Sequence, residues 1–301
     1  MKTPMSDAFI SAKNLGCNLT ILFRFYFHPI GLILRESDKK GVLTDTMKEF
    51  TLPKTGGSAR INILDGADLP DVMALQEATR AALPADKKRF ILPQGTAYFQ
   101  NLLTRLTGMM IGIRAEGKLV AQLALMGPLT LREAIAMQAI THNDVPFHHA
   151  ALNDSVIVIK SMASHPEWRG NDLAKNMISF AMEMPLAQVS DHVFAQISVG
   201  NKRSWDVFAR QKFGIVAAAY DPDDRLPRFV FQKPAFGFDF APAIIADEAD
   251  PLSDFPAIIA LTQREGLVGV YDEGSTEKLA FMRSRESLNL LPVMARVHAR
   301  R

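Results

Sequence analysis

One cysteine among 301 residues, Cys17, leaves no partner for an internal disulfide and fits a reducing, cytoplasmic setting. A charge excess is missing too. The 34 Lys and Arg against 32 Asp and Glu leave a net +2, too near neutral to make nucleic acid or a membrane surface the expected partner. Metal-ligand spacing is absent, because His142, His148 and His149 come with no helical or CxxC-type interval. A polar loop is the reading there, and no metal is expected. Gly56-Gly57 lacks the Lys-Ser/Thr that a phosphate-binding P-loop requires. There is no internal repeat and no low-complexity tract. What is plentiful is apolar side chain, 48% of the residues against 22% charged, the balance of a globular chain that can bury a core.

The most apolar stretch runs over residues 17–34. Arg24, His28 and Pro29 interrupt it and would be costly in hydrocarbon, so it does not read as a membrane span. It also lies too far from the N-terminus, and lacks a clear small-residue cleavage site, to read as a secretory signal. Two readings stay open: a loosely attached extension, or a mis-assigned start with Met47 as the true one.

Lys54-Thr-Gly-Gly-Ser58 reads as a flexible junction, which sets off residues 1–57 as an N-terminal extension. A strand is expected over Arg60–Leu64, then a helix capped by Asp68 with Val72, Leu75, Ala78 and Ala82 on one face. A second helix is expected over Thr96–Leu106. Gly108–Ala115 and Lys118–Met126 form a hairpin about Glu116-Gly117. A short helix near Leu131–Ala139 and a polar loop fill the section to Ala151. Ser155-Val-Ile-Val-Ile-Lys160 is β-branched and reads as a strand buried on both faces. Strands over His192–Val199, Gly214–Tyr220 and Arg228–Gln232 follow, with helices between. The alternation argues for an α/β fold with a mixed sheet over residues 58–234. Beyond Pro234, prolines and alternating Phe236, Phe238 and Phe240 suggest an appended subdomain over residues 235–301. Helices are expected there over Ala257–Arg264 and Thr276–Glu286, and docking or homodimer formation is its simplest role.

The strand over Val156–Ser164 enters a helix through His165-Pro-Glu-Trp-Arg-Gly-Asn171. Such a junction points several backbone N–H groups at one spot, and the helix adds about half a positive charge there, which suits a pyrophosphate. Leu173, Met177 and Ala181 share the apolar face of that helix, with Lys175, Ser179 and Glu183 opposite. Taken alone, one glycine between strand and helix is more often a simple connection.

Two stretches make the junction more specific. Met162-Ala-Ser-His-Pro-Glu-Trp-Arg-Gly-Asn-Asp-Leu-Ala174 resembles the signature of the GNAT N-acetyltransferase superfamily, in which Q/R-x-x-G-x-G/A opens a helix after a strand end. Downstream, Val199-Gly-Asn-Lys-Arg-Ser-Trp-Asp-Val-Phe-Ala-Arg-Gln-Lys-Phe213 resembles that family's N-x-x-A/S-x-x-L-Y-x-x-x-G-F segment. The likeness is best over residues 155–213 and implies a GNAT acyl-CoA N-acyltransferase-like fold with N- and C-terminal extensions. It further implies that Met162, Ala163 and Ser164 pair their backbone with the pantetheine arm of acetyl-CoA. Arg169, Gly170, Asn171, Asp172, Leu173 and Ala174 would hold its pyrophosphate, and Asn201 and Ser204 would support the lower half. The partners implied are acetyl-CoA as cosubstrate and an amine acceptor, either a small molecule or a protein. Asn201 also reads simply as a helix N-cap, and Arg169 as a solvated charge.

Three residues depart from the family pattern. Asp172 stands where glycine is usual and brings a negative charge toward the phosphate, although Asp tolerates unusual backbone angles and can cap a helix. Phe208 occupies the place of a tyrosine that protonates the leaving thiolate. Gln196 occupies the place where some members carry a glutamate base, and an amide cannot accept that proton. His165, Tyr98 and Asp154 are the substitutes the sequence offers. The expected function is acetyl transfer from acetyl-CoA to an amine. A catalytically impaired acyl-CoA-binding sensor is the alternative.

Overall fold

The computed structural model describes residues 47–91, 94–105, 107–140, 148–222, 224–251, 253–263, 266–271 and 279–284. His142 and the apolar stretch over residues 17–34 lie outside the described residues. Among the described residues eleven strands form one sheet in the order β1-β2-β3-β4-β5-β6-β8-β7-β10-β11-β9. They are β1 Met47–Thr51, β2 Ser58–Ile63, β3 Gly108–Ala115, β4 Lys118–Thr130, β5 Ser155–Ser164 and β6 His192–Ser198. β7 Gly214–Tyr220, β8 Pro227–Pro234, β9 Phe240–Ala249, β10 Leu267–Tyr271 and β11 Leu279–Ser284 complete it. Seven α-helices accompany them among the described residues: α1 Leu69–Ala81, α2 Thr96–Leu103, α3 Leu131–Ala136, α4 Leu173–Glu183, α5 Pro185–Gln188, α6 Lys202–Arg210 and α7 Phe255–Gln263. The α/β mixed sheet expected from the alternation is present.

Every neighbouring pair is antiparallel except β5 and β6. A parallel pair needs a crossover, and α4 supplies it. The β-branched run of β5 is buried from Val156 to Ile159, as a strand covered on both faces must be. One face of β3 and β4 is covered by α1 and α2, with Leu64, Val72, Leu75, Phe99, Leu102, Met110 and Ala124 in one apolar cluster. A second cluster joins Leu131 and Ala134 of α3 to Val156, Val158, Phe194, Val230 and Val268. In α4, Leu173, Met177 and Ala181 are buried while Lys175 and Glu183 are exposed, following the expected stripe.

Several local expectations change. The buried face of α1 is Val72, Leu75, Gln76 and Thr79, rotated away from Ala78 and Ala82. Thr79 can be buried because its hydroxyl donates to the Leu75 carbonyl at 2.7 Å. Asp68 makes no cap bond to α1. It closes a capping box with Asp65 over the 3-10 turn Gly66–Asp68 and accepts from Arg114 at 2.6 Å. The Lys54–Ser58 stretch is a closed turn, with Leu52 N donating to Gly57 O at 2.8 Å and Gly56 N to Leu52 O at 2.9 Å. Where a helix was expected over Thr276–Glu286, β11 runs from Leu279 to Ser284, paired with β10 on one side and β9 on the other. Two neighbouring strands with open edges outweigh the local helix preference of Leu, Ala and Met. The sheet thus continues past β7 into the C-terminal region through β10, β11 and β9.

Candidate functional site

The parallel ladder between β5 and β6 runs from Val156↔His192 to Ile159↔Ala195 and stops, although β5 continues to Ser164 and β6 to Ser198. The cause lies in β5. Ala124 pairs with Lys160 and Gln122 with Ala163, so three steps on β5 match two on β4. The extra residue is taken up at Ser161, which sits at φ 49°. Such a bulge bends its strand and ends local pairing. Past it the two strands diverge, and backbone groups that a continuous sheet would satisfy are left facing a gap. A linear ligand with its own amides fits such a gap by adding to a strand edge.

The gap opens onto the strand–helix loop. His165 N donates to Val120 O at 2.8 Å, and Trp168 N to His165 O at 3.0 Å, closing the 3-10 turn Pro166–Trp168. Gly170 lies at φ 87° and Asp172 at φ 53°, both in the left-handed region. At Gly170 a side chain would meet only Lys54 Cδ, at 3.5 Å, so glycine is required by the backbone angle and not by space. Asp172 takes an angle of the kind Asp tolerates, but its exposed side chain makes no cap bond to α4. The first turn of α4 closes with Asn176 N on Asp172 O at 2.9 Å. Helical geometry leaves the amides just before it without intrahelical acceptors. Arg169 to Ala174, the residues expected to hold a pyrophosphate, make up this loop and the start of α4, where the helix dipole is positive.

Asn171 holds the loop by its side chain. It is fully buried, its Oδ1 accepts from Lys54 N at 2.9 Å, and its Nδ2 donates to Trp168 O at 3.1 Å. The Lys54 backbone is thereby held at the loop, with its side-chain Cδ 3.5 Å from where a Gly170 Cβ would sit, and nothing in the sequence singles this residue out. The glycines after it signalled a turn, but nothing local indicated which loop that turn would meet.

The downstream motif lies where β6 enters α6. Asn201 occupies the N-cap position of α6, but its side chain makes no cap bond. Ser204 follows in the first turn, its N–H on Asn201 O at 2.9 Å. Trp205 anchors that turn, its indole N–H donating to Val199 O at 3.1 Å. Phe208 is buried, edge-on to Phe213 at 5.2 Å and tilted on Phe231 at 6.0 Å. Its ring is core. Gln196 is the first residue of β6 beyond the ladder with β5 and lies at the gap.

The proposed substitutes for the acid and base separate clearly. Asp154 lies at the opposite end of β5, about 30 Å from Ser164 at roughly 3.3 Å per residue. There it accepts from Ala151 N at 2.6 Å and meets His192 Nε2 at 3.1 Å. His165 has a buried Nδ1 without a hydrogen bond, 3.9 Å from a Glu167 carboxylate oxygen. Tyr98 alone reaches the gap: its hydroxyl is 3.1 Å from Ser161 Oγ at the bulge. Burial raises its pKa, with the Ser161 bond opposing, so the phenol keeps its proton. His148 and His149 bond the Gln263 and Gly266 carbonyls at 2.8 and 2.9 Å. Among the described residues no cluster of His, Cys, Asp and Glu could hold a metal ion, and no helix is long and apolar enough to cross a membrane.

No protein-family model matches the chain, and no curated protein matches it. Solved structures do. It is similar to the N-acetyltransferase from Staphylococcus aureus Mu50, at 11% identity over 60% of this chain and 99% of that one, with a TM-score of 0.43. Arabidopsis thaliana NAA60 in complex with acetyl-CoA matches at 14% identity over 60% and 99%, with a TM-score of 0.44. The GNAT-family acetyltransferase from Streptococcus pneumoniae matches at 11% identity over 58% and 98%, with a TM-score of 0.41. These structural neighbours are N-acetyltransferases. What those proteins act on is said of them alone.

Proposed function

We propose that this chain is a divergent GNAT-type N-acetyltransferase that binds acetyl-CoA along the β5–β6 gap and transfers its acetyl group to an amine. The observation that carries this reading is the coincidence of two features. The ladder of β5 and β6 ends at Ile159 and Ala195, and the gap beyond opens onto the first turn of α4. Pantetheine amides pair with the free edge of Met162–Ser164, and the pyrophosphate lies on the amides of Gly170 to Ala174. Arg169 and Lys54 supply positive charge there, and Asn201 and Ser204 face the lower half of the cosubstrate. Asp172 opposes phosphate electrostatically, which its exposure to solvent reduces.

The amine attacks the thioester carbonyl carbon, and a backbone N–H of the bulged strand polarises the oxygen. Holding amine and thioester together provides much of the acceleration. Tyr98, protonated and at the bulge, stands where a proton can be delivered to the leaving sulfur, the part Phe208 cannot play. Calorimetry with acetyl-CoA, followed by thiol release with an amine panel, tests the reading.

A second reading is favoured by Gln196 and Phe208, neither of which moves a proton: an acyl-CoA-binding module without turnover. Tight binding of CoA with no thiol release from any amine distinguishes it.

A further inference from the structure

One cation in the gap has no role in cosubstrate binding. Lys160 is the first residue of β5 beyond the ladder with β6, immediately before the bulge at Ser161. Its antiparallel partner is Ala124, which belongs to the cluster under α1 and α2, so Lys160 points to that same face. Gln196 stands one residue past the last pair on β6. Val158 pairs with Phe194, so alternation puts Lys160 and Gln196 on one face, opposite each other across the gap. Tyr98 and Ser161 meet on this face as well. Gln122, two residues from Ala124 on β4, adds a fully buried carboxamide with both polar atoms unpartnered among the described residues. A face lined by a lysine, a phenol and two carboxamides, beside the thioester's expected position, is suited to a polar acceptor rather than to sealing a core.

Resting on the acetyl-transfer reading above, we propose that Lys160 is the proton acceptor of the reaction. In its uncharged form the Lys160 amine takes a proton from the acceptor's ammonium group and becomes an ammonium itself. The freed amine lone pair attacks the thioester carbon, a C–N bond forms, the C–S bond breaks, and the sulfur leaves with the electron pair. Tyr98 gives its proton to that thiolate and recovers one from the second proton on nitrogen, giving the amide and CoA thiol, and Lys160 returns its proton to solvent.

The surroundings of Lys160 favour the neutral amine. Burial lowers its pKa and Arg228 on β8 lowers it further, while Asp221 in the β7–β8 turn opposes them. Asp221 and Asp224 are both engaged by the Arg228 guanidinium, the first at 2.8 Å. From the other elements at the gap come Tyr98 of α2, which keeps its proton, and Gln196 of β6, which does not titrate. Thr79 of α1, at 3.4 Å from Ser164 O, does not titrate either.

Two measurements test the assignment. In protein carrying 13C-labelled lysine, the Lys160 Cε signal, identified by its loss in Lys160→Arg, should titrate below the ordinary lysine value of about 10.4. Titration at or above that value overturns the proposal. Thiol release is then followed with acetyl-CoA and two probes, spermidine and an alanyl peptide. Lys160→Met and Lys160→Arg should each lower kcat roughly a hundredfold or more and abolish its rise with pH, since arginine does not give up its proton. CoA affinity by calorimetry should stay within about twofold of wild type, because general-base catalysis and cofactor binding are separable. Full activity in Lys160→Arg, acetylation of Lys160 itself by peptide mass, or turnover of neither probe by wild type would each overturn it. A wild-type protein that gives no heat with CoA would instead remove the reading beneath it.

Discussion

The carboxamide of Asn171 receives the backbone N–H of Lys54 at 2.9 Å, across 117 residues of sequence, and so fixes the β1–β2 turn against the strand–helix loop. It also holds the Trp168 carbonyl at 3.1 Å. Asn171→Ala leaves both backbone groups unpaired, at about 1–3 kcal/mol for a buried group that loses its partner. The midpoint of urea unfolding should fall accordingly. CoA affinity should fall roughly tenfold or more, because the loop loses its support and Lys54 its placement.

Gly170 separates strain from crowding. Its φ of 87° is unfavourable for any residue with a Cβ, while the space around it is open apart from Lys54 Cδ at 3.5 Å. Gly170→Ala should therefore cost on the order of 1 kcal/mol through the backbone alone. Calorimetry should show weaker CoA binding, with no compensating gain from trimming Lys54 to alanine. Recovery on trimming Lys54 would point to crowding instead.

His149 makes stability depend on pH. Burial lowers its pKa from 6.5 to about 4, against the opposing bond to the Gly266 carbonyl, and nearby His148 and His192 lower it further. The unfolded chain binds this proton first as pH falls. The neutral imidazole thus contributes its full stability above about pH 6.5, and that contribution is lost progressively down to about pH 4. A shift of this size corresponds to roughly 3 kcal/mol at about 1.36 kcal/mol per pKa unit. Thermal midpoints measured across this range should fall less steeply in His149→Gln than in wild type. Equal slopes would remove His149 as the cause.

Gln122 is fully buried on β4 with both polar side-chain atoms unpartnered among the described residues. Gln122→Met keeps the volume and removes the unmet polar atoms, so it should stabilise the protein by about 1 kcal/mol. Differential scanning calorimetry reads this directly, and a lower midpoint would mean that the amide has a partner in solution.

Much of the sheet was legible because its signals are local. The β-branched run of Val156–Ile159, the Glu116-Gly117 hairpin and the apolar stripe of Leu173, Met177 and Ala181 each state their structure within a few residues. The strand at Leu279–Ser284 was not, since its conformation comes from pairing with β9 and β10 far off in sequence. The face of α1 was misjudged for a related reason. Thr79 looks polar in a sequence and is buried only because it bonds its own helix.

The candidate site divides in the same way. The loop Arg169 to Ala174 and the Asn201 turn stood out by spacing. Lys54, Lys160 and the Tyr98–Ser161 contact did not, because the bulge that gathers the last three around the gap is a mismatch between β4 and β5, visible only once both strands are in register.

The central claim is that the gap between β5 and β6, with the first turn of α4, is a CoA site. Isothermal titration calorimetry of folded protein with acetyl-CoA and with CoA tests it most directly. Saturable binding of both at a 1:1 ratio, weakened by Gly170→Ala and by Asn171→Ala, is the result expected. No heat of binding from either ligand, in protein shown by circular dichroism to be folded, would contradict it.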